Sequence, residues 1–216
     1  MLTSNLLQAR RSSPQTRTSQ LYRFQLLGET SCSPAQRREG VHPSSVEGPR
    51  ASRIGAAQGR RLDDAAFALK MARGKARSLA ERHPERWILA ADQIAVLPGP
   101  PRRLLDKPGH PEVAVEHLMA LSGRTHDLTT GVVLLHPARG REHHAIDQQR
   151  LTLRAFDRQE AETYVRRHRP LECAGSHRIE DAGIKLFERI EGQDYTGIMG
   201  LPLLAVARLL REVGVL

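Results

Sequence analysis

The chain has 216 residues, of which 39% are hydrophobic and 26% charged, so it can bury a core and is not disordered throughout. No run of about 18 apolar residues is present, so we expect no membrane span. Its two cysteines, Cys32 and Cys173, lie far apart, which excludes a disulfide framework and suits a reducing compartment. We therefore expect a cytoplasmic protein with one or two domains.

The net charge of +9 is concentrated at the start of the chain. Residues 1–61 contain ten Arg, no Lys and three Glu, a balance of +7, whereas the other 155 residues carry only +2. Such a distribution indicates a basic arm rather than a folded basic face. We expect residues 1–20 to be a disordered basic extension, with a transit peptide as the alternative. A nucleic-acid ligand for this arm is the least favoured interpretation.

The first predicted elements follow this arm. Residues 21–28 predict a strand, and the Ser-, Pro- and Gly-rich residues 29–59 predict a loop or a poorly ordered segment. Apolar residues at helical spacing predict a helix over 62–82 that Pro84 closes. The short apolar run 87–91 predicts a buried strand.

The second half alternates strands with helices. A capping box at 157–160 opens one of the helices, and Pro111 and Gly123 mark the two ends of another. The pair His143-His144 has the composition of an exposed loop. The predicted helices cover 111–121, 157–168 and 201–213, and the predicted strands cover 128–135, 151–156 and 184–190. This alternation predicts an α/β fold around a largely buried sheet.

Asp92 is the strongest candidate for a catalytic residue. It follows the apolar run 88–91 directly, so we expect it at the carboxyl end of a buried strand, where open α/β sheets bind ligands. An acid there can hold a divalent metal or act as a general base. The alternative is an aspartate that only caps a turn.

Four other segments are weaker candidates. Lys75 lies beside the apolar stripe of the first long helix, where it either snorkels to solvent or enters a cleft. Lys107 precedes a proline and is held extended, so it can present an ammonium to phosphate, with a solvated loop lysine as the alternative. Ser33 and Arg37 lie in a Ser-Pro-Arg segment that is suited to a phosphate. The loop that ends at Glu180 could read a base edge, although an ordinary surface turn has the same composition.

Several segments together resemble the Maf family of nucleoside triphosphate pyrophosphatases. They match in order and spacing over roughly 150 residues, from about residue 62 to the end of the chain. The matching segments are AADQ at 90–93, LDKP at 105–108, LSGRTH at 121–126, TGVVL at 130–134, CAGS at 173–176 and GLPL at 200–203. The resemblance implies a single Maf/Ham1-like α/β domain over 21–216, with an elongated mixed sheet, flanking helices and a cleft between two lobes. It is also compatible with a homodimer.

The resemblance implies hydrolysis of the α–β phosphoanhydride of a nucleoside triphosphate, with Mg²⁺ or Mn²⁺ as cofactor. Asp92 matches the family's catalytic acid, which serves as base or metal ligand. Lys75 and Lys107 match lysines that contact phosphate. Ser33 and Arg37 correspond to the family's phosphate motif.

Gln93 and Glu180 match the positions that determine the base. These two residues resemble those of the 7-methyl-GTP branch. The dTTP/UTP branch usually has Asp-Thr where this chain has Asp92-Gln93, and Gln at the position of Glu180. A carboxylate accepts hydrogen bonds from guanine N–H groups. We therefore expect a modified purine triphosphate, and a dTTP/UTP-type enzyme is the alternative.

Residues 21–61 depart from the family pattern. Arg37 comes one residue late in its motif, and no acid lies near 55–57, where the family has an acidic segment. This divergence leaves open a nucleotide-binding protein with weak turnover.

Overall fold

A computed structural model describes residues 6–9, 24–27 and 63–216, which contain seven strands and four α-helices. The strands are β1 (Leu6–Ala9), β2 (Phe24–Leu27), β3 (Ile88–Leu97), β4 (Arg103–Leu105), β5 (Thr125–His136), β6 (Arg141–Leu153) and β7 (Phe187–Glu191). The helices are α1 (Asp64–Arg77), α2 (Pro111–Leu121), α3 (Arg158–His168) and α4 (Leu203–Glu212). None of these helices is long and apolar enough to cross a membrane.

The strands form one sheet in the order β2-β1-β3-β5-β6-β7, and β4 also pairs with β3. The prediction of an α/β domain is confirmed. All described strand pairs are antiparallel, whereas we expected a mixed sheet. The reason lies in the connections: only the turn Pro137–Gly140 separates β5 from β6, and so short a link joins antiparallel strands.

One edge of β3 is only partly paired. β1 pairs with Ile88 and Leu89 at its start, and β4 pairs with Ala95–Leu97 at its end. Between them, Ala90–Ile94 has no strand partner on this edge among the described residues. The other edge pairs with β5 from Ile88 to Val96. This gap in the edge holds the two partly exposed residues of an otherwise buried strand.

The two faces of β3 are covered by different helices. On one face, Ile88 and Ala90 pack with three residues of α1, and Ile94 packs with a fourth. On the opposite face, alternate residues of β3 pack in two other clusters, one containing residues of α4 and one containing residues of α2 and α3. Because side chains alternate along a strand, neighbouring residues of β3 reach opposite faces.

The observed helix starts lie close to the positions that the capping residues predict. The observed strand lengths agree less well with the apolar runs in the sequence. α2 spans the predicted residues, and Asp157 Oδ1 accepts from Glu160 N, 2.8 Å, at the start of α3. α1 ends earlier than predicted, at Arg77, and Ser78 Oγ donates to Lys75 O, 2.8 Å, at this end. The next backbone bonds, from Leu79 N and Ala80 N, reach back only three residues, so the chain continues as turns.

Several strand predictions were too short or displaced. β3 begins one residue after its predicted segment and runs six residues past its end, whereas β5 extends past both ends of its predicted segment. β7 begins only at Phe187, after a 3₁₀ turn. The loop prediction for His143-His144 is wrong, since both residues lie in β6. Polar residues dominate the first half of β6, so its sequence lacks the alternation that marks a strand.

The first residues of the chain also differ from the prediction. Residues 1–20 were expected to be disordered, but Leu6–Ala9 forms β1, which pairs with β2 and with the start of β3. β2 lies inside the predicted first strand at 21–28. Ser33 and Arg37 lie outside the described residues, so their predicted contact with phosphate stays a prediction.

Candidate active site

Asp92 lies in the middle of β3, not at its carboxyl end as predicted. The strand continues through Ile94–Leu97 after the polar pair Asp92-Gln93, and these later residues are buried. The polar pair interrupts the apolar run because it occupies the unpartnered stretch of the edge. Alternation along β3 places the Asp92 side chain on the face that α1 covers.

Lys75 reaches Asp92 from α1. Lys75 Nζ lies 2.5 Å from Asp92 Oδ1 and donates to Ala91 O at 3.2 Å. Only 29% and 18% of the lysine and aspartate side chains are exposed, so water screens this ion pair less than a surface pair. The ammonium of Lys75 is therefore directed onto β3 and not away from the protein into solvent.

A glycine on β5 allows α1 to approach this closely. Gly131 lies opposite Asp92 in the register of β3 and β5. A Cβ added at Gly131 would lie 2.6 Å from Leu69 N and 2.7 Å from Ala68 C, both backbone atoms of α1. Because Gly131 has no side chain, the backbone of α1 can pack directly against β5. This close packing brings Lys75 within contact distance of Asp92.

The loop after β4 brings a second carboxylate toward Asp92. Burial raises the pKa of Asp106, and the negative charge of Asp92 raises it further. Lys107 Nζ lies 3.5 Å from Glu172 Oε2, both side chains are largely exposed, and Lys107 does not contact Asp92. Sequence reasoning missed Asp106, although its carboxylate stands beside Lys107 in the LDKP segment.

The Gln93 side chain lies on the opposite face of β3, away from α1. Its Nε2 donates to Thr130 Oγ1 at 3.0 Å and to Gly197 O at 2.6 Å. Thr130 is its register partner on β5, and Gly197 lies in the 3₁₀ turn Tyr195–Met199. One dipeptide therefore supplies a carboxylate to one face of the sheet and an amide to the other.

A buried polar network holds the turn Tyr195–Met199 in place. Asp194 Oδ1 accepts from Thr196 N at 3.0 Å, and its Oδ2 accepts from Leu204 N at 2.7 Å. Gln149 Nε2 donates to Asp194 O at 3.0 Å and to Asp147 Oδ2 at 2.8 Å. Sequence reasoning did not find this network, because its members come from β6 and from the segment before α4 and share no motif.

Glu180 lies in the loop that packs on the Gln93 face. A Cβ at Gly175 would lie 3.3 Å from Ala95 Cβ, and buried Ile179 belongs to the same cluster as Ala95. Glu180 is exposed and directly follows the buried Ile179. The structure therefore places Glu180 on a loop on the same side of β3 as Gln93.

Two buried histidines support this loop. His126 Nε2 and His177 Nε2 lie 2.8 Å apart. Burial lowers the pKa of His126 to about 4, and burial together with the charge of His126 lowers the pKa of His177 well below its ordinary value. Both rings are therefore neutral near pH 7.

The described residues contain no group of three or more His, Cys, Asp or Glu side chains that could hold a metal ion. Asp92 and Asp106 are two carboxylates of this region that interact, since the charge of Asp92 adds to burial in raising the pKa of Asp106. Mg²⁺ typically binds through one or two carboxylates together with substrate phosphates, so this pair fits such an ion.

Comparison with known proteins gives the family. A sequence profile described as "Maf-like protein" matches residues 19–213. The chain belongs to the Maf family. This Maf protein is 44% identical over 149 residues to the 7-methyl-GTP pyrophosphatase of Xanthomonas oryzae pv. oryzae (strain MAFF 311018), covering 69% of this chain and 76% of that one. It is 40% identical over 144 residues to the 7-methyl-GTP pyrophosphatase of Syntrophotalea carbinolica, covering 67% and 72%. The same name belongs to a relative from Hahella chejuensis, 36% identical over 148 residues, covering 68% and 73%. The resemblance to this family is thereby confirmed.

Proposed function

We propose that this Maf protein hydrolyses 7-methyl-GTP to the monophosphate and pyrophosphate. The observation that carries the proposal is the Lys75–Asp92 pair, 2.5 Å apart at the unpartnered edge of β3. In such a pair the carboxylate can accept a proton from an attacking water, and the cation can stabilise the charge that develops on a phosphate. Relatives that are 36–44% identical and named 7-methyl-GTP pyrophosphatases support the choice of substrate.

The placement of Asp92 and Gln93 suggests how the nucleotide lies. The polyphosphate would lie on the α1 face, near Lys75 and Asp92, and the base on the opposite face, near Gln93 and Glu180. The substrate would then cross the edge of β3 between β1 and β4. No described strand blocks this passage, since Ala90–Ile94 is unpaired on that edge.

In this arrangement Asp92 serves as the general base. Lys75 holds Oδ1, and Oδ2 would accept a proton from the water that attacks the α phosphorus. As the new P–O bond forms, the bond from the α phosphorus to the bridging oxygen breaks, and pyrophosphate leaves with the electron pair. The ammonium of Lys75 would stabilise the negative charge that develops, and Lys107 would contact the distal phosphates.

A divalent cation, Mg²⁺ or Mn²⁺, belongs to this proposal. Asp92 and Asp106 would hold it together with phosphate oxygens of the substrate. When bound, such an ion neutralises the polyphosphate and lowers the pKa of a bound water. We further infer that the protein acts in the cytoplasm, and a homodimer is compatible with this function.

A second candidate is a nucleotide-binding protein with weak turnover. The observation in its favour is the departure of residues 21–61 from the family pattern, with Arg37 one residue late and no acid near 55–57. Both candidates predict nucleotide binding, but the first predicts efficient release of pyrophosphate and the second predicts little or none.

Release of pyrophosphate from 7-methyl-GTP, GTP, dTTP, UTP and CTP with Mg²⁺ or Mn²⁺ tests the proposal. We expect preference for 7-methyl-GTP and a loss of about 10²–10⁴ in kcat for Asp92→Asn. Asp127→Asn is the matched control, because it neutralises an aspartate that also pairs with a cation, Arg150, at 3.0 Å, but that does not contact Asp92 or Lys75. Preference for dTTP or UTP would overturn the choice of base, and binding without turnover would favour the second candidate.

A further inference from the structure

We propose that Thr130 and the turn Tyr195–Met199 are positioning elements that fix the amide of Gln93, so that its oxygen reads the hydrogen-bond donors of the base. This inference deepens the proposed function and rests on it. It assigns a role in base selection to Thr130 and to the Asp147–Gln149–Asp194 network that holds the turn.

The orientation of the Gln93 amide follows from its partners. Gly197 O is a carbonyl oxygen and can only accept, so the group 2.6 Å from it must be the amide nitrogen. Thr130 Oγ1, 3.0 Å away, takes the second hydrogen of the same NH₂ group. Rotating the amide by half a turn would place two oxygen atoms against each other, so the neighbours fix one orientation.

The oxygen of Gln93 is consequently the atom left for a ligand. Within residues 63–216 no group donates a hydrogen bond to Oε1, and the side chain is partly exposed. Glu180, on the same side of β3, also offers only acceptors when ionised. Two acceptors complement the adjacent N1–H and N2–H₂ donors of a guanine ring. Thymine and uracil offer one N–H between two carbonyl oxygens, and those oxygens would face acceptors.

The turn that supplies Gly197 O is fixed on several sides. The Asp194 carboxylate accepts hydrogen bonds from two backbone N–H groups, and the Gln149 amide donates a hydrogen bond to the Asp194 backbone carbonyl. A Cβ at Gly197 would collide with Asp147 Oδ2, and one at Gly192 would collide with the Gln149 amide. Gln149 is 2% exposed, so this polar packing is shielded from water. The position of the Gly197 carbonyl is therefore set by buried hydrogen bonds and by glycine contacts.

Substitution of Thr130 tests the inference. Thr130→Val keeps the shape and removes the hydroxyl, so we expect the ratio of kcat/KM for 7-methyl-GTP over UTP to fall about tenfold, the equivalent of about 1.4 kcal/mol. The loss should appear mainly in KM for 7-methyl-GTP, with kcat within about twofold. Thr130→Ser restores the hydroxyl and should restore most of the ratio. Thr125→Val is the matched control, since it removes a cross-strand hydroxyl contact on the same strand, 2.9 Å to Thr152.

A double-mutant cycle separates positioning from a general structural effect. If Thr130 acts through Gln93, then Thr130→Val should leave the ratio unchanged in a Gln93→Ala background. A 7-methyl-ITP substrate, which lacks the N2 amino group, should be used at least about tenfold less well by the native chain and about equally with 7-methyl-GTP by Gln93→Ala.

Binding measurements separate failure of this inference from failure of the proposed function. Calorimetric titration with 7-methyl-GMP and UMP measures the same discrimination without turnover. The inference is supported if the native chain prefers 7-methyl-GMP and Thr130→Val weakens that preference. An unchanged preference in Thr130→Val, equal effects of Thr125→Val and Thr130→Val, or no preference in the native chain would each overturn it, whether or not pyrophosphate is released.

Discussion

Substitution of Gly131 by alanine would test how α1 positions Lys75. The added Cβ would lie 2.6 Å from Leu69 N, whereas ordinary van der Waals contact begins at 3.4 Å. The nearest atoms all belong to the backbone of α1, so no side chain can rotate away. The helix must therefore rise from the sheet by about 0.8 Å, the difference between these two distances, or the strand must bend.

Both stability and catalysis should respond to this shift. Overpacking of this kind costs about 1–3 kcal/mol, which lowers Tm by about 3–10 °C for a chain of this size. Because Lys75 moves with α1, its 2.5 Å contact with Asp92 should lengthen. A misplacement near 1 Å can cost about 10²-fold in rate, so we expect kcat to fall about 10–100-fold.

Thermal unfolding and pyrophosphate release from 7-methyl-GTP measure the two effects. Gly74→Ala is the matched control, because Gly74 lies in α1 beside Lys75 and an added Cβ meets nothing within 4 Å. That change should stabilise the helix by about 0.5–1 kcal/mol and leave kcat unchanged. Native Tm and kcat in Gly131→Ala, or equal damage in Gly74→Ala, would show that Gly131 does not set the position of α1.

Three further changes have defined outcomes. Lys75→Met should lower kcat about 10²–10³-fold, measured by pyrophosphate release, because it removes the cation beside the reacting phosphates; an unchanged kcat would contradict its role. The lowered pKa values of His126 and His177 mean that the fold favours their neutral forms, so their contribution to stability is complete above about pH 6.5 and is lost as pH falls toward 4. Urea unfolding should show this loss at up to about 1.4 kcal/mol per pH unit for each ring, and His126→Gln should make the slope shallower. Burial raises the pKa of Asp147, so stability from its protonated form is present at low pH and is lost as pH rises through that pKa. Asp147→Asn should therefore raise the free energy of unfolding at pH 7, and the gain should shrink as the pH is lowered below that pKa in the same urea assay.

Local signals in the sequence predicted the parts of the fold that local chemistry determines. Pro111 and the Asp157 capping box mark the starts of α2 and α3 because backbone N–H groups at a helix start need acceptors or a residue without an N–H. β6 could not be predicted over its full length. Its first half is polar and is held by pairing with β5, a partner that the local sequence does not reveal.

The sequence predicted which residues belong to the candidate site, but it did not predict which of their side chains contact each other. Asp92, Lys75 and Gln93 were singled out from the sequence, but their pairing depends on α1 crossing β5 at Gly131. Asp106 and the network around Gln149 were missed because long-range packing, not spacing along the chain, gives them their neighbours.

The polar dipeptide in β3 also explains why the edge of that strand must be open. Consecutive residues of a strand point to opposite faces, so Asp92 and Gln93 cannot both touch one ligand that stays on a single face. A nucleotide can meet both only by passing around the strand, with its phosphates on one side and its base on the other. That passage requires a stretch of edge without a neighbouring strand, and Ala90–Ile94 provides it among the described residues. If the protein acts as proposed, the interrupted edge allows Asp92 to act on the phosphates and Gln93 to contact the base of the same nucleotide.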